Sequence, residues 1–156
     1  MTPAIDELVA AGIDHRVCGY DHDPSAESYG LEAAAALGVE PESVFKTLIA
    51  EAAGVGLVVG IVPVTTTLDL KALARAAGAK RADMAPVAAA ERSSGYVAGG
   101  ISPFGQKRRL ATYIDETCEL WDQIYVSAGR RGLDVAVAPT DLIAVLGAVS
   151  YPIAVW

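Results

Sequence analysis

Val44-Phe45-Lys46-Thr47-Leu48-Ile49-Ala50-Glu51-Ala52-Ala53-Gly54-Val55-Gly56-Leu57-Val58-Val59-Gly60-Ile61-Val62-Pro63 is the stretch on which the fold turns. It reads as one strand over residues 44–50 and another over 55–62, since both runs are short, apolar and rich in β-branched residues. Ala53-Gly54 suits a hairpin turn between them, and the second strand stops before Pro63, which has no N–H for a ladder. One residue breaks the pattern. By residue type alone, Lys46 either points outward into solvent or faces a cavity. In a cavity its ammonium can bind a carboxylate or phosphate, or steady a developing oxyanion.

Upstream of this hairpin the signals are local and clear. Thr2-Pro3 is a helix start, with Ile5, Leu8 and Val9 on one face and Gly12 as its stop. From Ile13 the chain alternates as a half-buried strand: Ile13, His15 and Val17 share one face, and Asp14, Arg16, Cys18 and Tyr20 share the other. Ser28 caps an alanine-rich helix ending near Gly38, and residues 41–43 form a short helical turn. Downstream, Asp69 caps a helix through Ala77, residues 80–83 suit a short edge strand and 86–92 a short helix. Further strands are expected near 110–114, 124–127 and 134–137. Pro139 begins a last helix that ends at Gly147, and residues 150–155 read as a final strand. Strands and helices alternate irregularly, without the even rhythm of a doubly wound sheet. The expected fold is α+β, one domain over 1–156 with a mixed, barrel-like β-sheet flanked by helices.

A second stretch carries chemistry: Ser94-Gly95-Tyr96-Val97-Ala98-Gly99-Gly100-Ile101-Ser102-Pro103-Phe104-Gly105-Gln106-Lys107. It is expected to open as an apolar strand, break at Gly99-Gly100 and turn at Ser102-Pro103. Either the glycines merely permit the turn, or their amides form a nest for a carbonyl or an anion. On the second reading Gly100→Ala costs activity more than stability, because a Cβ would enter the substrate's space. Asp134 likewise reads as a turn residue or as a lysine's counter-charge.

The 156 residues carry a net charge of −7 and are 53% hydrophobic, which excludes compositional disorder and a broad basic field for nucleic acid. Basic residues cluster locally at Lys107-Arg108-Arg109 and Arg130-Arg131. Two cysteines, Cys18 and Cys118, make no disulfide framework and suit reduced thiols in the cytoplasm. The N-terminus lacks the regions of a signal peptide, and no apolar run reaches the ~20 residues of a membrane span. His15, Cys18 and His22 lack metal-ligand spacing, and no GxSxG, GxGxxG or GxxxxGK[ST] motif occurs. Neither a metal nor another cofactor is expected.

Tyr20-Asp21-His22-Asp23-Pro24, Val44-Phe45-Lys46-Thr47-Leu48, Asp69-Leu70-Lys71, Gly95-Tyr96 through Gly105-Gln106-Lys107, and Ile124-Tyr125-Val126-Ser127 with Arg131-Gly132-Leu133-Asp134 occur in one colinear order. In this the chain resembles, over nearly its whole length, the YbaK/EbsC family of aminoacyl-tRNA deacylases, and most closely its Cys-tRNA(Pro) deacylase branch. The resemblance implies hydrolysis of the ester joining a wrong amino acid to tRNA(Pro), in trans beside prolyl-tRNA synthetase, with no part for DNA or membrane. Carried over by position, Lys46 matches the essential lysine, Gly99 and Gly100 match the backbone-amide loop, and Ile101 is expected among the substrate-binding residues. Tyr20, Thr47, Ser127 and Asp134 match pocket residues. Tyr29 stands where relatives usually carry phenylalanine, which makes that wall more polar. Contact with tRNA is expected at Lys107, Arg108, Arg109 and Arg130. The branch's chemistry is substrate-assisted, the cysteinyl thiol attacking its own ester carbonyl. A deacylase for another small amino acid such as alanine, and a non-catalytic translation module, remain the alternatives.

Overall fold

The computed structural model describes residues 1–156. In chain order its elements are α1 (Pro3–Ala10), β1 (His15–Gly19), α2 (Tyr29–Leu37), β2 (Phe45–Ala52), β3 (Gly56–Pro63), β4 (Thr67–Leu68), α3 (Leu70–Ala77), β5 (Ala82–Met84), α4 (Val87–Ser94), β6 (Ala111–Asp115), β7 (Ile124–Arg130), β8 (Leu133–Val137), α5 (Pro139–Leu146), β9 (Val149–Tyr151) and β10 (Ala154–Val155). Two 3₁₀ turns, Pro41–Ser43 and Glu116–Leu120, complete it. The helix starts follow side-chain chemistry. Thr2, Ser28 and Asp69 accept from the amides of Ile5, Leu31 and Ala72, each satisfying an amide that has no partner within its helix.

The β2–β3 hairpin is the centre of a mixed five-stranded sheet in the order β5-β2-β3-β6-β9. Its register pairs Lys46 with Val62 and Ala52 with Gly56, around a turn in which Gly54 takes φ +75°. β6 runs parallel to β3 and β9 parallel to β6. A separate antiparallel sheet has the order β1-β8-β7, and β4 pairs with β10 in a third. The first two sheets meet where Val44 bridges Tyr125, so the strands wrap around a shared core without closing a hydrogen-bonded barrel. That core packs Leu8 of α1 and Leu142 of α5 against Ile61, Phe104, Ile114 and Ile124. A second core seats Leu73 of α3 on Val58, Val62 and Ile153.

Three sequence expectations are corrected. Residues 94–98 form no strand: Ser94 ends α4, Gly95 caps it at φ +83°, and the chain crosses to β6 as a loop. That loop is anchored by its own polar groups. Tyr96 Oη donates to the Phe104 carbonyl at 2.7 Å, and the Ala98 amide donates to Glu91 at 2.9 Å. The final strand is two, β9 and β10, in different sheets. Asp115 divides them, its Oδ1 accepting from the amides of Ile153 and Ala154 just beyond Pro152. Val9 points into solvent, so the buried stripe of α1 is Ala4, Ile5 and Leu8. No helix is long and apolar enough to cross a membrane.

Candidate active site

On the face of the three-stranded sheet that α2 covers, neighbouring strands set Ser127, Asp134 and Cys18 side by side, with Asp134 in the middle. Partners facing each other across antiparallel strands point to one side. Tyr20 follows two residues after Cys18 and extends the same face. Across the gap, β2 contributes Lys46 and Thr47, and the 97–101 loop contributes Gly99 and Ile101. These side chains surround a cavity of about 280 Å³, closed on its outer side by Ser28, Tyr29 and Ala33. Thus Tyr20, Tyr29, Lys46, Thr47, Gly99, Ile101, Ser127 and Asp134, drawn from six separate segments, line one cavity.

The electrostatics of this cavity are unusual in what they leave unpaired. Lys46 forms neither an ion pair nor a side-chain hydrogen bond, and desolvation lowers its pKa. Asp134 is 6% exposed, and burial pushes its carboxyl up to about 7. It lies in β8 rather than in a turn, and it makes no salt bridge to Lys46, so both sequence readings of Asp134 are corrected. Thr47 Oγ1 is buried without a hydrogen-bond partner. Leaving such a group unsatisfied costs about 1–3 kcal/mol. The cavity therefore presents a cation without a counter-ion beside a buried carboxyl.

Asp134 makes a pH prediction with a definite sign. Its folded pKa of about 7 lies above the ordinary aspartate value of 3.8, so the folded state holds the proton that the unfolded chain gives up. A destabilising contribution therefore develops as pH rises above 3.8 and is complete above about 7. Asp134→Asn should raise the Tm at pH 8 by at least ~2–4 °C, the change that 1 kcal/mol brings in a chain this size, and leave it unchanged at pH 3. Equal shifts at both pH values would show that the carboxyl is not buried as described.

The glycine loop acts otherwise than its sequence suggests. The Gly100 amide donates to the Val97 carbonyl at 2.9 Å and is not free for a ligand. The Gly99 and Ile101 amides make no backbone hydrogen bond, and these two residues line the cavity. Gly99 takes φ +88°, which a side chain would strain. A Cβ at Gly100 would lie 2.8 Å from the Arg130 Cα, within the β7–β8 backbone and not in the cavity. The expectation for Gly100→Ala is reversed: it should lower the Tm by several degrees, as overpacking costs typically ~1–3 kcal/mol. Thermal melting of the variant checks this. Ser127 holds the same junction, donating to the Gly100 carbonyl and accepting from the Gly129 amide, both at 3.1 Å.

Of the basic residues expected to meet tRNA, Arg130 borders the cavity. Lys107 and Arg108 are exposed on the loop before β6. Arg109 is engaged elsewhere, facing Glu7 of α1 at 3.7 Å and donating to the Val145 carbonyl of α5. Neither protein thiol lines the cavity. Cys18 is buried beside Arg16, Cys118 is fully buried in the main core, and burial raises the pKa of both. No group of three or more His, Cys, Asp or Glu side chains is placed to hold a metal ion. Sequence reasoning gave Arg131 no role. Its guanidinium lies 4.4 Å from the centre of the Tyr29 ring and donates to the Ala98 carbonyl at 2.6 Å. Its place in an Arg-Gly turn three residues before Asp134 was the available signal.

Residues 23–145 match the family described as the aminoacyl-tRNA editing domain, a span that includes most of the cavity lining. Over 119 residues the chain is 40% identical to EbsC of Enterococcus faecalis, named as a candidate Cys-tRNA(Pro)/Cys-tRNA(Cys) deacylase, covering 76% of this chain and 70% of that one. Two solved structures share the fold. One, of a hypothetical protein called APE2540, has a TM-score of 0.88 at 23% identity, covering 98% of this chain and 99% of the other. The second, of a candidate trans-editing enzyme for prolyl tRNA synthetase, has a TM-score of 0.86 at 22% identity, covering 99% and 96%. With the match spanning residues 23–145 and this closeness to EbsC, the chain belongs to the aminoacyl-tRNA editing-domain family.

Proposed function

We propose that the chain, acting as one editing domain over 1–156 in the cytoplasm, is an aminoacyl-tRNA deacylase that removes cysteine from tRNA(Pro) in trans, beside prolyl-tRNA synthetase as a transient partner. The observation that carries this reading is Lys46, a desolvated ammonium without a counter-ion, lining a cavity of about 280 Å³. An ester carbonyl seated there develops negative charge in its transition state, and a preplaced cation favours that state over the ground state. The Gly99 and Ile101 amides are the loop donors available to the same oxygen. Support for cysteine as the amino acid comes from the likeness to EbsC.

In the proposed reaction the cysteinyl Sγ attacks its own ester carbonyl carbon. The bond to the ribose oxygen breaks, the thiol proton ends on the released tRNA hydroxyl, and water later opens the thiolactone. No protein nucleophile is required. The division of labour with the synthetase is physically reasonable, because an apolar pocket separates similar side chains by only ~1–3 kcal/mol per methylene-sized difference. A second site that reads the thiol supplies the remaining discrimination.

A deacylation assay over tRNA(Pro) charged with Cys, Ala, Ser and Pro tests the reading. Preferential release of Cys is expected. Preferential release of Ala would give the site to that amino acid instead, and no release from any would leave a binding module. Contact with tRNA should be weak and salt-sensitive, since the net charge is −7. Charge reversal at Arg130 and Arg108 should raise KM several-fold with kcat little changed. Unchanged KM at low salt would remove both residues from the tRNA surface. Arg109 is a poor probe, since its reversal also breaks the contacts to α1 and α5.

A further inference from the structure

We propose that Arg131 is a positioning residue that clasps the mouth of the cavity, holding Tyr29 and the 97–101 loop together over the reacting ester. Its guanidinium does two things at once. It lies over the Tyr29 ring at 4.4 Å, and it donates to the Ala98 carbonyl at 2.6 Å. Gly99 completes the junction, for a Cβ there would fall 2.6 Å from both Arg131 Nε and Tyr29 Cε2. Behind Tyr29, the His22 ring packs at 5.6 Å, and His22 Nδ1 is 2.7 Å from Glu32 of α2. Glu32 also accepts from the Asp23 amide at 2.6 Å, and the Tyr20 amide donates to the Gly132 carbonyl at 2.9 Å. The clasp therefore joins the 20–28 loop, α2, the β7–β8 turn and the glycine loop, four segments that share no sheet ladder with one another at this point. Exclusion of water from a carbonyl strengthens the electrostatic stabilisation it receives, so a closed mouth acts on kcat.

Arginine is suited to this part by its shape. A planar guanidinium can present its face to an aromatic ring and its edge to a carbonyl, whereas an ammonium has no plane to stack. Lysine, however, would serve equally well as a point charge for a tRNA phosphate. Arg131→Lys thus separates clasp from phosphate ligand. Loss of stacking and of one hydrogen bond together corresponds to about a tenfold effect.

This proposal rests on the deacylase reading, so its test has one arm independent of activity. Arg131→Lys and Arg131→Gln should both speed hydrogen exchange of the Gly100 amide about tenfold, without a change in Tm. With Cys-tRNA(Pro), both should lower kcat about tenfold and leave KM within about twofold, and Tyr29→Leu should do the same with little further loss when combined with Arg131→Gln. Unchanged Gly100 exchange overturns the clasp whether or not the protein deacylates tRNA. A defect confined to KM in Arg131→Gln, restored by Arg131→Lys, overturns it in favour of a phosphate contact. Absence of deacylation in the unmutated protein, with exchange responding as expected, would defeat the deacylase reading and leave the clasp standing.

Discussion

Lys46→Ala is expected to lower kcat/KM for Cys-tRNA(Pro) by about 10²–10³, with an unchanged melting temperature. The size follows from removing one preorganised stabiliser of a developing oxyanion, worth about 3–4 kcal/mol. The unchanged Tm follows from what surrounds the side chain. Lys46 has no ion-pair partner, so truncation leaves no anion buried and uncompensated. Its burial already disfavours the charged form, and that penalty disappears with it. The backbone pairing of residue 46 with Val62 is untouched by the substitution. Single-turnover deacylation with the melting curve alongside measures both. Turnover within a few-fold of the parent would remove Lys46 from the mechanism.

Ser-tRNA(Pro) is expected to be hydrolysed at least about 10²-fold more slowly than Cys-tRNA(Pro). A thiol is a few per cent thiolate at neutral pH and strongly nucleophilic, whereas a hydroxyl requires a general base, worth ~10²–10⁴. Asp134 is the carboxyl in the cavity, and its pKa of about 7 leaves it half-ionised near neutrality. Were it the base for the attacking group, the penalty on Ser-tRNA would shrink, kcat/KM would rise with pH through about 7, and Asp134→Asn would lose that limb. A Cys18→Ser, Cys118→Ser double variant should retain most activity, since neither sulfur reaches the cavity. Cys18 shares a sheet face with Tyr20, yet it opens toward Arg16, Leu37 and Tyr125 at the other end of that face. Inactivity of a folded double variant would move the nucleophile onto the protein. Equal turnover of the two substrates would replace the thiol by an activated water.

Much of the fold was legible because its signals are local. Helix starts at Thr2, Ser28 and Asp69 depend on a side-chain oxygen reaching an amide three residues away, which needs no tertiary context. The β2–β3 hairpin is similar, with two apolar runs, a glycine turn and a terminal proline all within twenty residues. The segment 94–98 was misread because its apolar residues suggested a strand. Tyr96 is instead buried by its hydroxyl's bond to Phe104, and Val97 is exposed. The last strand was read as one because pattern alone does not show Asp115, 38 positions from Ile153, taking the two amides that divide it.

Residue types and their spacing are enough to mark which residues are chemically out of place, namely a lysine in an apolar strand and paired glycines before a proline. Their colinear spacing with Tyr20, Ser127 and Asp134 carried the family resemblance. Which groups meet, and which are already satisfied, follows from how the chain packs. Packing turned the Gly100 amide onto Val97 and its Cα against Arg130, leaving Gly99 and Ile101 to face the cavity. It separated Asp134 from Lys46, tied Arg109 to Glu7, and placed Arg131 over Tyr29. The reason is physical. Whether a polar group is free depends on partners many positions away in the chain, and desolvation, which shifts both Lys46 and Asp134, is a property of the packed surroundings that no single segment carries.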